Sequence, residues 1–173
     1  MKQYLLPFAA VFAASLLFSL PSSAQVKRPL RPVQASGVKN QSAPAASFAG
    51  SINVGVNEAI TSLTNPGGLF ERLNAGTVSG NLIVNITSDL TAETGQLSLE
   101  PPAETGAGGH SILIRPFGGH RLIEGSGTGL TLLTFGAHLV TVNGFLYGEK
   151  ALTIRNTGYF GGAAITFWGG ASN

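Results

Sequence analysis

Apolar and polar residues alternate in short bursts along most of the chain, and glycine separates the bursts. Segments 82–87, 96–99, 111–115, 121–124, 132–135, 140–143, 152–155 and 165–168 each carry β-branched or aromatic residues in alternation. That pattern predicts short, half-buried strands. Segment 51–60 alternates more loosely, with Ile52, Val54 and Val56 against Ser51, Asn53, Gly55 and Asn57, and reads as an edge strand. One helix signal interrupts the strands. Asn65 suits the N-cap, Pro66 the first helical position and Gly76 the C-terminal stop. Leu69, Phe70 and Leu73 form one apolar face between them. Two turns cannot stand alone, so this helix is expected to lie on the end of a stack of sheets.

Regular short strands with turn signals fit a sandwich, a barrel or a solenoid, and internal repetition separates the three. Arg121–Gly125 aligns with 140–144 at a spacing of 19, and 165–169 follows at 25. A second set interleaves: 112–115, 133–135 and 152–155, at spacings of 21 and 19. Two strand registers with a period near 20 predict a parallel β-solenoid. Ile112, Ile114, Ile123, Leu133, Phe135, Val142, Leu152, Ile154 and Phe167 are expected to point inward as apolar columns. Leu113, Glu124, Thr134, Asn143, Thr153 and Trp168 are expected to point out. On this period about two and a half coils are present, near the three-repeat minimum.

The N-terminus reads as a targeting signal. Lys2 is followed by an apolar run from Leu5 to Leu20, then Pro21 and the small residues Ser22, Ser23 and Ala24. The run of 16 residues is shorter than the roughly 20 of a spanning helix. Residues 1–24 are therefore expected to be a signal peptide cut before Gln25, leaving no transmembrane span. Residues 25–50 hold Lys27, Arg28, Arg31 and Lys39, three prolines and no acid, without apolar period; they read as a flexible linker. Residues 51–173 form the predicted β-helix domain.

Composition narrows the function. Only 10% of the 173 residues are charged, 10 basic against 8 acidic, which leaves no electrostatic footprint for nucleic acid. The 24 glycines supply corners. The absence of cysteine excludes a disulfide scaffold, a thiolate metal site and a cysteine nucleophile.

Three stretches carry a family resemblance: 62–74 with its Asn-Pro-Gly-Gly-Leu-Phe run, 80–90 followed by Glu93-Thr94-Gly95, and Ile112–Pro116 followed by 121–125 and 140–144. Their order resembles the N-terminal part of bacterial secreted right-handed parallel β-helix surface proteins of the pectin-lyase-like class. The resemblance covers roughly 62–173. It implies an all-β, right-handed parallel β-helix with a short N-terminal capping helix. It also implies export, cell-surface display, and adhesion or glycan contact. His138 and Asn143 stand where the family often has Asp. By the family pattern the chain ends in mid-turn, so the domain is expected to be truncated at its C-terminus. An open last coil exposes apolar columns and strand edges, so that end is expected to self-associate or meet a partner.

Candidate chemistry is sparse. Asp89 and Glu93 are too few for a Ca²⁺ site, which takes six to eight oxygens, and read as a polar turn. Glycoside hydrolysis needs two carboxyls; Glu124 is the best single acid, expected to stack beside the amide of Asn143. His110, His120 and His138 lie at corners without metal-ligand spacing. Gly125–Gly129 lacks the lysine and helix of a phosphate loop. Asn85-Ile86-Thr87 matches a glycosylation sequon inside a strand signal. No catalytic residue, metal or cofactor is expected. The candidate glycan or partner surface is Arg115, Glu124, Asn143, Arg155 and Trp168, with the two arginines placed in matching positions two coils apart. The expected function is an exported, non-enzymatic β-solenoid module, adhesin-like or structural, that contacts polysaccharide or cell-surface proteins. The alternative is the N-terminal part of a polysaccharide lyase or glycoside hydrolase whose catalytic coils lie elsewhere.

Overall fold

A computed structural model describes residues 46–126, 131–158 and 162–169. The expected signal peptide, most of the expected linker, and Tyr159 and Phe160 lie outside the described residues. In chain order the elements are β1 (Ser47–Val54), α1 (Leu69–Ala75), β2 (Thr77–Ile86), β3 (Ala103–Glu104), β4 (Ile112–Pro116), β5 (Arg121–Gly125), β6 (Thr131–Phe135), β7 (Val140–Val142), β8 (Phe145–Leu146), β9 (Glu149–Lys150), β10 (Leu152–Asn156) and β11 (Ala163–Phe167). No helix among the described residues is long and apolar enough to cross a membrane. The first strand begins at Ser47, so residues 47–50 belong to the fold rather than to the linker. The strand expected at 96–99 is reduced to one bridge, Leu99 to Phe135.

The strands form a parallel β-solenoid of about four turns, more than the two and a half expected. Its first face is the ladder β1-β2-β4-β7, with β3 beside the start of β2. The second face stacks Leu90, β5 and β10, and the third stacks Leu99, β6 and β11. Leu82 pairs with Ile112 and Ile112 with Val140, offsets of 30 and 28 residues. Arg121 pairs with Leu152, an offset of 31, and Thr131 with Ala163, an offset of 32. One coil is therefore about 30 residues with three faces, not about 20 with two. The expected stacking of 121–125 on 140–144, and of 112–115 on 133–135, is thereby replaced. Successive strands start about ten residues apart, so sequence similarity recurs at 20 as readily as at 30. Only backbone pairing tells which multiple closes the coil.

Inward columns follow this register. Val84 stacks on Ile114 and then Val142, Leu90 on Ile123 and then Ile154, Leu99 on Phe135 and then Phe167. Ile114, Ile123, Leu133 and Phe135 are fully buried, each worth about 1.5–3 kcal/mol of hydrophobic stabilisation. Val142, Leu152 and Ile154 are only half-buried and Phe167 is 48% exposed, because these residues belong to the outermost described coil.

The helix starts later than expected. Gly68 is its N-cap and Gly76 its C-cap. Asn65, Pro66, Gly67 and Gly68 instead make a tight turn, in which the Gly68 amide donates to the Asn65 carbonyl at 2.8 Å and Gly67 sits at φ +78°. Proline followed by glycine is what a type II turn requires. The turn aims Leu69, Phe70 and Leu73 into the core, and the Phe70 ring meets Phe135 edge-on at 5.6 Å. Asn74 closes the neighbouring strand edge with its side chain, donating to the Ser98 carbonyl and accepting from the Glu100 amide. The helix thus covers the first coil where a strand would otherwise sit.

Candidate functional site

The coil register redistributes the expected surface residues. Arg115 lies on the first face and donates from Nε to Asn85 Oδ1 at 3.0 Å. Asn85 is buried to 5% exposure, and its amide donates to Ser51 and Asn53. This polar column occupies the sequon asparagine entirely with structural bonds. Asn143 follows β7 and accepts from the Phe145 amide at 2.9 Å, which turns the chain. Glu124 and Arg155 lie on the second face and are register partners joined by an ion pair. Glu124 therefore stacks on a guanidinium rather than on Asn143, and Arg155 does not match Arg115. Trp168 is half-exposed at the end of β11, and its backbone amide donates to the Phe135 carbonyl at 3.0 Å. The five residues do not converge on one site.

Glu93, expected in a polar turn, is only 2% exposed. Its Oε1 accepts from the Leu63 amide at 2.8 Å. Its Oε2 accepts from Ser62 Oγ at 2.9 Å, the Thr64 amide at 2.7 Å and Thr64 Oγ1 at 2.5 Å. A buried carboxylate is tolerated only when its lone pairs are filled, and here segment 62–64 fills them. The adjacent coil passes so close that a Cβ on Gly125 would lie 1.6 Å from the Glu93 carbonyl oxygen. Nothing in the local sequence signals this knot, because both the acid and its donors look like turn residues.

Other carboxylates are used in the same way. Asp89 accepts from the Leu122 amide, and Glu58 from Thr87 Oγ1. Glu104 grips the next corner, accepting from the Gly109 amide at 2.6 Å and the His110 amide at 3.0 Å. Those two donors, the Gly109 amide foremost, hold its pKa below the usual carboxylate range, and His110 and His138 nearby act in the same direction. Glu71 accepts from the Gly67 amide at the start of α1. Six of the eight acids of the chain are thus engaged across coils or corners: Glu58, Glu71, Asp89, Glu93 and Glu104 by hydrogen bonds and Glu124 by its ion pair. Among the described residues no group of three His, Asp or Glu side chains is placed to hold a metal ion, and no buried side-chain nitrogen or oxygen lacks a partner. No family model, curated protein or solved structure matches the chain.

Proposed function

We propose that this chain is exported and serves as a structural or adhesin-like β-solenoid module outside the cell or on its surface, without catalysis of its own. The observation that carries this reading is the use of the carboxylates. Six of the eight acids, which hydrolysis or metal binding would need free, are engaged in holding coils and corners, and Glu124, the best single candidate, faces Arg155 across one coil step. The apolar N-terminal run and its small-residue end support export. A stack of parallel strands supports a display role, since each coil contacts mainly its neighbours and presents its outer positions in rows.

The test is fractionation of the native host with N-terminal sequencing of the product. Export predicts a product outside the cytoplasm that begins at Gln25. Uncleaved protein confined to the cytoplasm would overturn the reading. Reducing-end release from a polysaccharide panel by the wild type, lost on Glu124→Gln, would overturn its non-enzymatic part.

A further inference from the structure

The least expected feature of the surface is the hairpin β8–β9, which projects between β7 and β10. Its base is fixed: Asn143 turns the chain into β8, and the Ala151 and Leu152 amides donate to the Gly144 carbonyl. Its loop is Tyr147-Gly148, with φ +53° and +86°. Positive φ at both central residues is the type I′ hairpin, which favours Asn-Gly because a bulky side chain is strained there. Tyr147 accepts that strain and is 96% exposed, so packing against the protein does not explain it. Leu139, the other non-glycine residue at positive φ among the described residues, differs: its carbonyl accepts from the Ile112 amide within the ladder.

Beside Tyr147 is a hollow of about 330 Å³ lined also by Gly118, Gly119, His120, Leu146 and Glu149. This volume falls in the lower part of the range for small-ligand sites, about 300–1,000 Å³. The floor is preorganised. Arg121 threads under the corner and donates to the carbonyls of Phe117, His120 and Ile86. Gly118 and Gly119 leave that floor free of side chains. The hollow therefore combines an open backbone floor, a carboxylate and an imidazole, with the exposed Tyr147 ring projecting at its rim.

We propose that this hollow binds a pyranose unit of a neutral polysaccharide, an inference that rests on the display reading above. The Tyr147 ring meets the C–H face of the sugar, and Glu149 and His120 take its hydroxyls. A ring standing exposed at the rim leaves its face open for such stacking, and with the Arg121 guanidinium engaged by carbonyls, Glu149 is the charged lining side chain left to disfavour a polyanion.

The experiment uses wild type, Tyr147→Asn and Tyr147→Phe, each titrated calorimetrically with cellohexaose, chitohexaose and xylohexaose, with Tm measured in parallel. Wild type is expected to bind at least one of the three. Asn is expected to weaken that binding about tenfold or more through loss of the aromatic face, while Tm stays equal or rises, because asparagine suits the turn. Phe is expected to retain binding within about threefold, since the ring remains. Wild type that binds none of the sugars, as a hairpin built for a protein partner would behave, overturns the inference. An Asn variant that binds like wild type also overturns it. Either failure in a chain found outside the cell leaves the export and display reading standing; a cytoplasmic chain fails that reading separately.

Discussion

Replacing Glu93 by alanine removes the acceptor of four hydrogen bonds and leaves the donors of Ser62, Leu63 and Thr64 buried. A hydrogen bond to a charged group contributes about 1.5–3 kcal/mol, and these four act as a unit rather than adding. Each buried donor left unsatisfied costs about 1–3 kcal/mol; the two hydroxyls can rotate to other acceptors while the Leu63 and Thr64 amides cannot, so Glu93→Ala is expected to lose about 2–6 kcal/mol. Against a total stability of about 5–15 kcal/mol for a domain, this is a large fraction. Glutamine is the informative control. Its oxygen can replace Oε2 and serve Ser62 and Thr64, but its amino group then faces the Leu63 amide, donor against donor. Glu93→Gln is therefore expected to cost about 1–3 kcal/mol. Urea unfolding followed by far-ultraviolet circular dichroism measures both, and hydrogen exchange at Leu63 and Thr64 localises the loss. A Glu93→Ala variant within about 1 kcal/mol of wild type would refute the reasoning, because a solvated turn acid costs no more than that on removal.

Gly125→Ala tests the same close approach from the other coil. Gly125 is not in a left-handed conformation, so only space is at issue. With the Glu93 backbone 1.6 Å from the added carbon, the cost is expected at or above about 3 kcal/mol in urea unfolding, whereas Gly136→Ala, whose nearest neighbour is the flexible Glu100 carboxylate at 3.3 Å, stays nearly neutral. Arg155→Ala is expected to change stability by less than about 1 kcal/mol in the same assay, because its side chain is 60% exposed and the pair is screened by water. The Glu104 clamp predicts a pH dependence with a definite sign. Its folded pKa is lowered, so its contribution is complete above the ordinary glutamate pKa and is lost as pH falls through the lowered folded value. The Gly109 amide, followed by NMR, is expected to titrate below the ordinary glutamate range, and a midpoint at or above that range would contradict the clamp.

Strand positions were legible in the sequence because alternation marks which residues face the core. Ile112, Ile114, Ile123 and Phe135 are inward as that alternation requires. The coil period was not, because every strand-to-corner segment is close to ten residues and carries much the same pattern. Pairing 121–125 with 152–156 rather than 140–144 depends on which backbone edges meet, and alternation is blind to that. The error propagated to the surface: residues assigned to one row, such as Glu124 and Asn143, occupy different faces. The Asn-Pro-Gly-Gly turn was visible in principle. Proline serves equally at the start of a helix and at the second position of a turn, and the following glycine at positive φ decides for the turn. Glu93 and Asn65 were illegible for another reason. Asn65 accepts from the Thr94 amide and donates to the Ala92 carbonyl, and such long-range partners become neighbours only once the coil closes.

The three-faced coil underlies every placement above, and cross-linking tests it most directly. The chain contains no cysteine, so engineered pairs have no background. Leu122 and Thr153 are register partners on adjacent coils. Neighbouring strands lie about 4.8 Å apart, inside the roughly 4.4–6.8 Å that a disulfide spans. Leu122→Cys with Thr153→Cys is therefore expected to oxidise readily to an intramolecular disulfide, while Thr134→Cys with Thr153→Cys, on different faces, stays reduced. Rapid closure of the 134–153 pair with none at 122–153 would restore a 20-residue coil and contradict the account.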